Sequence, residues 1–488
     1  MFQESNTGPA ILTVAACILY NVCFHPLAKF PGPWYATISN FWYSMRFLGG
    51  RQPKHILSMH RKYGPVVRIA PNELSFNTAQ AWKDIYNYSS GNPPFVKSKF
   101  YEGGTFADQC GSIVSERDPE EHGRMRKLLS HAFSQRSLVE QEPLILGVIN
   151  KFIRQLSIYA ERREVIELNK WFNMVTFDII GELAFGESFG GVETGNLHPW
   201  IARIKGAMKQ GALADTFKRF PTVGSIAMIL WSSTIERLTL DCKLNEEYAL
   251  DLVRKRISRK SERKDFLTRI LEERDESISD VQIAAHSADF VTAGSETTAT
   301  ALACINYYLS KDKTIRKKLQ EEIRGAFSSY EEINSASTAP LRYLNAVCLE
   351  GMRIYPPLPF ALPRLVPKDG SIVDGHFIPP GVTVSTNPVA TCLDPSNFRD
   401  PFTFKPERWL EHNGYDNLDA SQPFSIGPRG CLGRSLGWME MRIIMAKLHF
   451  VFDLELTDPD LDWQGSSRMH TLWQNPQLQM RVQLAKRS

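Results

Sequence analysis

The residues best equipped for chemistry stand in one short run near the C-terminus, Phe-Ser-Ile-Gly-Pro-Arg-Gly-Cys-Leu-Gly, Phe424 to Gly433. Cys431 follows a Gly-Pro-Arg-Gly turn and opens an apolar helical pattern from Leu432 to Phe450. A cysteine at a helix N-terminus meets aligned backbone N–H groups and a positive dipole end, both of which favour its thiolate. A thiolate so held suits haem iron as an axial ligand, where it pushes electron density onto the metal and favours O–O cleavage. Gly427 and Gly433 allow a tight turn and a close approach to a flat cofactor. Arg429 offers a fixed cation for a haem propionate. The plain alternative is a buried cysteine in a turn. Five fixed positions within ten residues speak against it.

The pattern F-x-x-G-x-R-x-C-x-G resembles the haem-binding loop of the cytochrome P-450 family, the haem-thiolate monooxygenases, and matches it at every fixed position. Three further motifs resemble the family in the same order. Ala293 to Thr298 read A-G-S-E-T-T inside a long helical pattern, Val281 to Leu309. Ala293 and Thr297 lie one turn apart on one face, with Gly294 beside them. A mid-helix glycine costs about 1 kcal/mol against alanine, so it needs a reason. One reason is close helix packing. The other is a small-residue notch that lets dioxygen lie between helix and haem. The resemblance implies the second, with Thr297 orienting a proton-donating water and Glu296 relaying protons.

Glu350 and Arg353 form E-x-x-R in a helical stretch, Leu341 to Tyr355, that Pro356 and Pro357 end. Arg408 follows in P-E-R-W, Pro406 to Trp409. Residues three apart on a helix can pair. The resemblance implies a buried Glu-Arg-Arg cluster with a structural role.

His122 and Arg126 share a face of the helical pattern Glu120 to Phe133, while Arg124 and Lys127 point away from them. A solvated basic helix is the plain reading. The resemblance places His122, Arg126 and Arg364 on the haem propionates and Phe424, Gly433, Ala293 and Gly294 against the haem. It implies a substrate cavity lined by Phe360, Ala361 and Leu362, the loop Phe100 to Cys110, Phe290, Ala293, and the turn near His470 and Leu472. Arg124 and Lys127 are left for a reductase.

The elements that must carry these residues read as mainly α with a minor β lobe, the cytochrome P-450 fold. A strand is expected at Val66 to Ile69, between turns at Gly64-Pro65 and Pro71-Asn72. Amphipathic helix dominates Leu144 to Leu271, with a break at Phe220-Pro221. Ala10 to Phe24 is nearly all apolar, about 23 Å long as a helix against about 30 Å of hydrocarbon. Pro31 and Pro33 then stiffen a hinge. Residues 1–33 therefore read as a membrane anchor and hinge, and 34–488 as the catalytic domain. Basic residues after the apolar stretch place that domain on the cytoplasmic side of the endoplasmic reticulum membrane.

A net charge of +4 with interspersed signs argues against nucleic acid. Eight scattered cysteines without C-x-x-C argue against zinc or a disulfide framework. The chain lacks G-x-G-x-x-G. The resemblance therefore implies haem b, O2, an apolar small-molecule substrate, and electrons from NADPH-cytochrome P-450 reductase. The reaction implied is hydroxylation or epoxidation, and the wording of the hinge, like that of fungal microsomal members, points to a secondary metabolite. Two other readings remain: a haem-thiolate isomerase, dehydratase or peroxide-using enzyme, and a non-catalytic haem carrier or sensor. The Glu296-Thr297 pair argues against the first. A carrier has no use for an apolar cavity.

Overall fold

The computed structural model describes residues 7–87, 93–102, 106, 110–230, 232–259, 263–276, 278–411 and 414–485. Residues 103–105 and 107–109 of the expected cavity loop lie outside the described residues. Seven helices frame the site: α1 (Pro119–Ser130), α2 (Gln135–Glu161), α3 (Leu168–Ala184), α4 (Pro199–Arg219), α5 (Asp280–Lys311), α6 (Arg342–Ile354) and α7 (Arg434–Val451). The largest sheet among the described residues has five strands. Its strands are β1 (Val66–Ala70), β2 (Glu73–Phe76), β3 (Val96–Lys97), β4 (Arg364–Leu365) and β5 (Thr383–Thr386), in the order β1-β2-β5-β4-β3. Only β2 and β5 pair in parallel; the other neighbours are antiparallel.

Local sequence sets the helix ends. Asp118 caps α1 by accepting from the Glu120 and Glu121 N–H groups, with Pro119 in the first turn. Ser279 caps α5 by accepting from the Gln282 N–H. α6 ends at Ile354, just before Pro356-Pro357, because the residue before proline avoids the helical region. The break at Phe220-Pro221 separates α4 from the short helix Pro221–Leu230.

α5 is buried on most of its circumference and runs through the core beside α3. A second core lies under the sheet, where Leu27 and Phe30 pack with Val66, Leu74 and Phe76. The proline-rich segment is thus docked on the β lobe, and Arg68 N–H donates to Pro31 O at 2.8 Å. The apolar N-terminal stretch forms a helix Thr7–Leu19 continued by one π-turn, Tyr20–Phe24. Among the described residues no helix is long and apolar enough to cross a membrane.

Candidate haem-thiolate site

The cysteine loop closes on itself through backbone bonds. Cys431 N–H donates to Phe424 O at 2.8 Å, and Gly430 N–H to Gly427 O at 2.9 Å. Gly427 has φ +73°, and a Cβ there would stand 2.1 Å from Tyr86 O, so only glycine fits. Gly433 differs: a Cβ there would meet only Phe133, at 3.9 Å. The protein alone does not require glycine at 433, which suits a position left flat for a cofactor. α7 begins at Arg434, with Gly433 as its uncapped N-terminal residue, so Cys431 lies just before the helix.

The helix end favours the thiolate through the Gly433 N–H, as expected, but burial opposes it. Burial pushes the Cys431 thiol up, against the Gly433 N–H and the Arg126 and Arg434 charges, which lower it. A dry pocket penalises any unpaired anion more than these groups compensate. A metal cation held there would reverse that balance. Cys431 is nevertheless accessible on its surface, as is Ala293 midway along the buried α5. Such accessibility within buried surroundings marks residues that face an internal space.

Around the loop the chain gathers positive charge. Lys97, Arg126, Arg364 and Arg429 all lie close enough to His122 to depress its protonation; burial and these cations together bring its pKa down to about 3. Burial, with Arg429 and Arg364, brings Lys97 down to about 7, against Asp289 and Glu116. Arg429 falls to about 10 through burial and Arg364, with Glu116 opposing. The lowering of Lys97 and Arg429 by neighbouring arginines means that positive charge here is under-compensated by protein. A dianion such as a pair of propionates meets that need, so the residues fit haem.

The roles within this cluster are uneven. Arg126 Nη1 donates to Gly430 O at 2.7 Å. Arg429 directs both terminal nitrogens to backbone, Glu116 O and Arg117 O, at 2.8 Å each. It ties the loop to the strap before α1 as well as contributing charge. Arg364 lies 5.2 Å from the Tyr86 ring and is buried. Lys97 escaped the sequence reading. Lys97 and Lys99 stand at the same alternation in F-V-K-S-K-F, and only the end of β3 buries the first and exposes the second. Lys97 Nζ donates to Ile113 O at 3.0 Å and Val114 O at 2.6 Å. The same strap is held from α5, where His286 Nδ1 accepts from Ile113 N–H and Asp289 from Val114 N–H, at 3.2 and 3.1 Å. Burial pushes the Asp289 carboxyl up to about 6.

On α5, Thr297 Oγ1 donates to Ala293 O at 2.6 Å, so both stand on one face as their spacing predicts. Gly294 has a different reason from the expected notch. A Cβ there would lie 2.6 Å from Ile180 Cδ1, so the glycine lets α5 approach α3 closely. Thr176 Oγ1 donates to Ser295 O at 3.1 Å across the same contact. Glu296 faces the other way, 3.4 Å from Lys205 of α4. Burial raises its pKa and Lys205 opposes the rise. It borders a polar cleft of about 450 Å3 with Asn169, Asn173, Lys205, Lys209 and Asn475.

Two expected cavity residues are buried in aromatic clusters. Phe290 is buried against Phe133 and Phe266, with ring centroids 5.1 and 5.9 Å away, and belongs to the core. Phe360 is buried between Phe47 and Phe100, at 5.5 and 4.5 Å. Ala361 and Leu362 are half-buried, and His470 Nε2 lies 3.1 Å from Leu48 O.

The Glu-Arg-Arg cluster is present and fully buried. Arg353 bonds Glu350 through two nitrogens at 2.8 and 2.7 Å, and Arg408 Nε reaches Glu350 Oε1 at 3.1 Å. Asp416 adds a second carboxylate, 2.7 Å from Arg408, which the motif does not contain.

The sequence pattern of the Cytochrome P450 family matches residues 29–481.

The chain belongs to the cytochrome P450 family.

Among curated relatives, Cytochrome P450 monooxygenase ORF11 of Penicillium roqueforti (strain FM164) is 53% identical over 92% of this chain and 94% of its own. Cytochrome P450 monooxygenase BipB of Cochliobolus sativus is 44% identical over 98% and 96%. Cytochrome P450 monooxygenase aclL of Aspergillus oryzae (strain ATCC 42149 / RIB 40) is 37% identical over 97% and 96%. In a P450 of this kind the cysteine-ligated haem supplies the activation of O2. Cys431 is the cysteine whose loop, glycines and cation cluster fit that group.

Proposed function

We propose that this P450 monooxygenase holds haem b and takes electrons from NADPH through a separate flavoprotein reductase. It inserts one oxygen atom, by hydroxylation or epoxidation, into an apolar secondary metabolite. The convergence of the Cys431 loop with the cations gathered around His122 (Lys97, Arg126, Arg364 and Arg429) carries this reading. Within it, Thr297 holds a water on the open face of α5, and Glu296 passes protons to it from the polar cleft. The absence of a G-x-G-x-x-G run supports an external source of reducing equivalents. The likeness to fungal monooxygenases supports the substrate class.

The chain attaches to the endoplasmic reticulum membrane through its N-terminal stretch, with the catalytic domain in the cytoplasm. Thr7 to Phe24 spans about 27 Å as a helix, somewhat less than the hydrocarbon core. Exposed Leu12, Val14, Leu19, Val22 and Phe24 continue into exposed Trp34 and Phe41, a face suited to the membrane interface.

The experiment is a reconstitution with NADPH and a microsomal reductase. Expected are a thiolate-type carbon monoxide spectrum, a haem b pyridine haemochrome, and NADPH use that yields product with an apolar substrate. Turnover driven by peroxide alone, with no use of NADPH, would overturn the reading.

A further inference from the structure

Just after the proline-rich segment the chain forms a groove of about 590 Å3, lined by Trp34, Tyr35, Ile38, Phe41, Trp42 and Met45. The first three belong to the short helix Trp34–Ile38 and the others to the helix Phe41–Leu48. Trp34 and Phe41 are 72% and 64% exposed. Large rings left open side by side mark a surface that something covers. The rings form a row. Trp34 meets Tyr35 at 5.9 Å between centroids, Tyr35 meets Trp42 at 5.8 Å, and Trp42 meets His55 at 6.0 Å. At one end the helix Trp34–Ile38 packs against the π-turn Tyr20–Phe24, which closes the apolar N-terminal helix. At the other end the row reaches positive charge. Arg46 stands at the rim of the groove. Burial first, then Arg46 and Arg51, disfavour the protonation of His55, and no acid opposes them. Neither arginine forms an ion pair among the described residues. The helix dipole accounts for Arg46, in the last turn of Phe41–Leu48. It works against Arg51, which stands at the N-terminal end of the helix Gln52–Tyr63.

We propose that this groove binds one anionic phospholipid, with an acyl chain along the aromatic row and the phosphate on Arg46 and Arg51. The inference deepens the membrane reading above and rests on it for the supply of lipid. An amphiphile is the ligand whose two ends match the two ends of the groove. An uncharged metabolite would leave both arginines without an anion, and a free phosphate would leave the rings uncovered. Tryptophan and tyrosine suit the boundary between hydrocarbon and headgroups, because each joins an apolar ring to a polar tip. A guanidinium fork matches two phosphate oxygens at once. Basic pockets beside membrane segments hold anionic headgroups in this way. The volume of the groove lies within the range of small-molecule sites, about 300–1,000 Å3. A bilayer that merely touched this face would select neither a headgroup nor a number of lipids, whereas a groove with fixed cations selects both.

The test counts lipids on the haem-loaded full chain in a neutral detergent by native mass spectrometry. The probes are phosphatidylserine and phosphatidylcholine with the same acyl chains. A cation beside an anionic headgroup is worth about fivefold in binding. Wild type should therefore hold one phosphatidylserine about 25-fold more tightly than phosphatidylcholine. Arg46→Gln with Arg51→Gln should remove that preference and leave phosphatidylcholine binding unchanged. Trp34→Ser with Phe41→Ser should weaken both lipids, and the carbon monoxide spectrum reports whether each variant is folded. Should the aromatic pair fail to fold, the arginine pair alone decides. Equal retention of both lipids by wild type would overturn the proposal, as would a preference that survives the arginine substitutions. So would many bound lipids with no distinct first one. Displacement of phosphatidylserine by inorganic phosphate alone would make this a site for a free anion and overturn the lipid assignment. Flotation with vesicles of the two lipids separates this inference from the membrane reading. A chain that binds one phosphatidylserine in detergent yet does not float overturns the membrane reading and keeps the site. A chain that floats but shows no headgroup preference keeps the membrane reading and loses the site.

Discussion

Thr297 spends its hydroxyl proton on the Ala293 carbonyl at 2.6 Å, which leaves the oxygen lone pairs for a water on the open face of the helix. Thr297→Ala removes that acceptor without opening a large cavity, so folding and the thiolate spectrum should survive. Losing one positioned hydrogen-bonding group typically slows the step it serves by about 10²-fold. Product per NADPH should therefore fall and peroxide rise, and Thr297→Ser should restore coupling. Equal coupling in the alanine and serine variants would reduce Thr297 to a packing residue. Cys431 invites a cleaner test. Its loop is held by backbone atoms, Phe424 O to Cys431 N–H and Gly430 O to Arg126, so Cys431→Ser should fold. It should lose the red-shifted Soret band of the reduced carbon monoxide complex, and retention of that band would refute ligation by Cys431. The identity of these two residues was legible because motif and spacing are local. Lys97 was not, since nothing local distinguishes it from Lys99.

At the scale of elements, helix contacts decide what a motif residue does. Gly294 reads equally well as an oxygen notch or as a packing glycine, and Ile180 of α3 decides for packing. Gly294→Ala gains about 1 kcal/mol of helix propensity. It forces a methyl against a buried side chain, and such overpacking typically costs about 1–3 kcal/mol. A lowered Tm is expected, largely recovered in the pair Gly294→Ala with Ile180→Val. A Tm unchanged by the single substitution would show that Ile180 yields freely. The Glu350 cluster joins α6 to the P-E-R-W turn and to the chain before it. Arg353 also donates to Cys392 O and Pro401 O, at 2.9 and 2.8 Å. Glu350→Ala strands Arg353, while Arg408 keeps Asp416. The cost should be about 3–5 kcal/mol, a large part of a domain's stability. Thermal unfolding and haem content should both show the loss, and a stable, fully haem-loaded variant would contradict it.

At the scale of the molecule, α1 turns one face inward and one outward. His122 is buried in the cation cluster, while Arg124 and Lys127 are exposed on the opposite side. Arg124 also pairs with Glu121 at 2.7 Å, so Lys127 supplies the less compensated charge. If this face receives the reductase, reversing both charges should raise the apparent KM for reductase. The effect should be greater at low salt, because steering between exposed charges is screened. Reductase kinetics that stay unchanged at low ionic strength would move the docking surface elsewhere.

The sequence by itself determined the family, the mainly α architecture, the candidate ligand cysteine and the extent of the helices that carry the motifs. These follow from spacing, caps and prolines, which act over a few residues. It also paired Glu350, Arg353 and Arg408 through the family pattern. Only the tertiary structure supplied Asp416 to that cluster, set Gly294 against Ile180, buried Lys97 and drew Phe290 into the core. Each of these depends on which segments, distant in sequence, come to share one contact. Burial then decides the chemistry: the same lysine or glutamate keeps its ordinary charge in water and loses part of it in a dry seam.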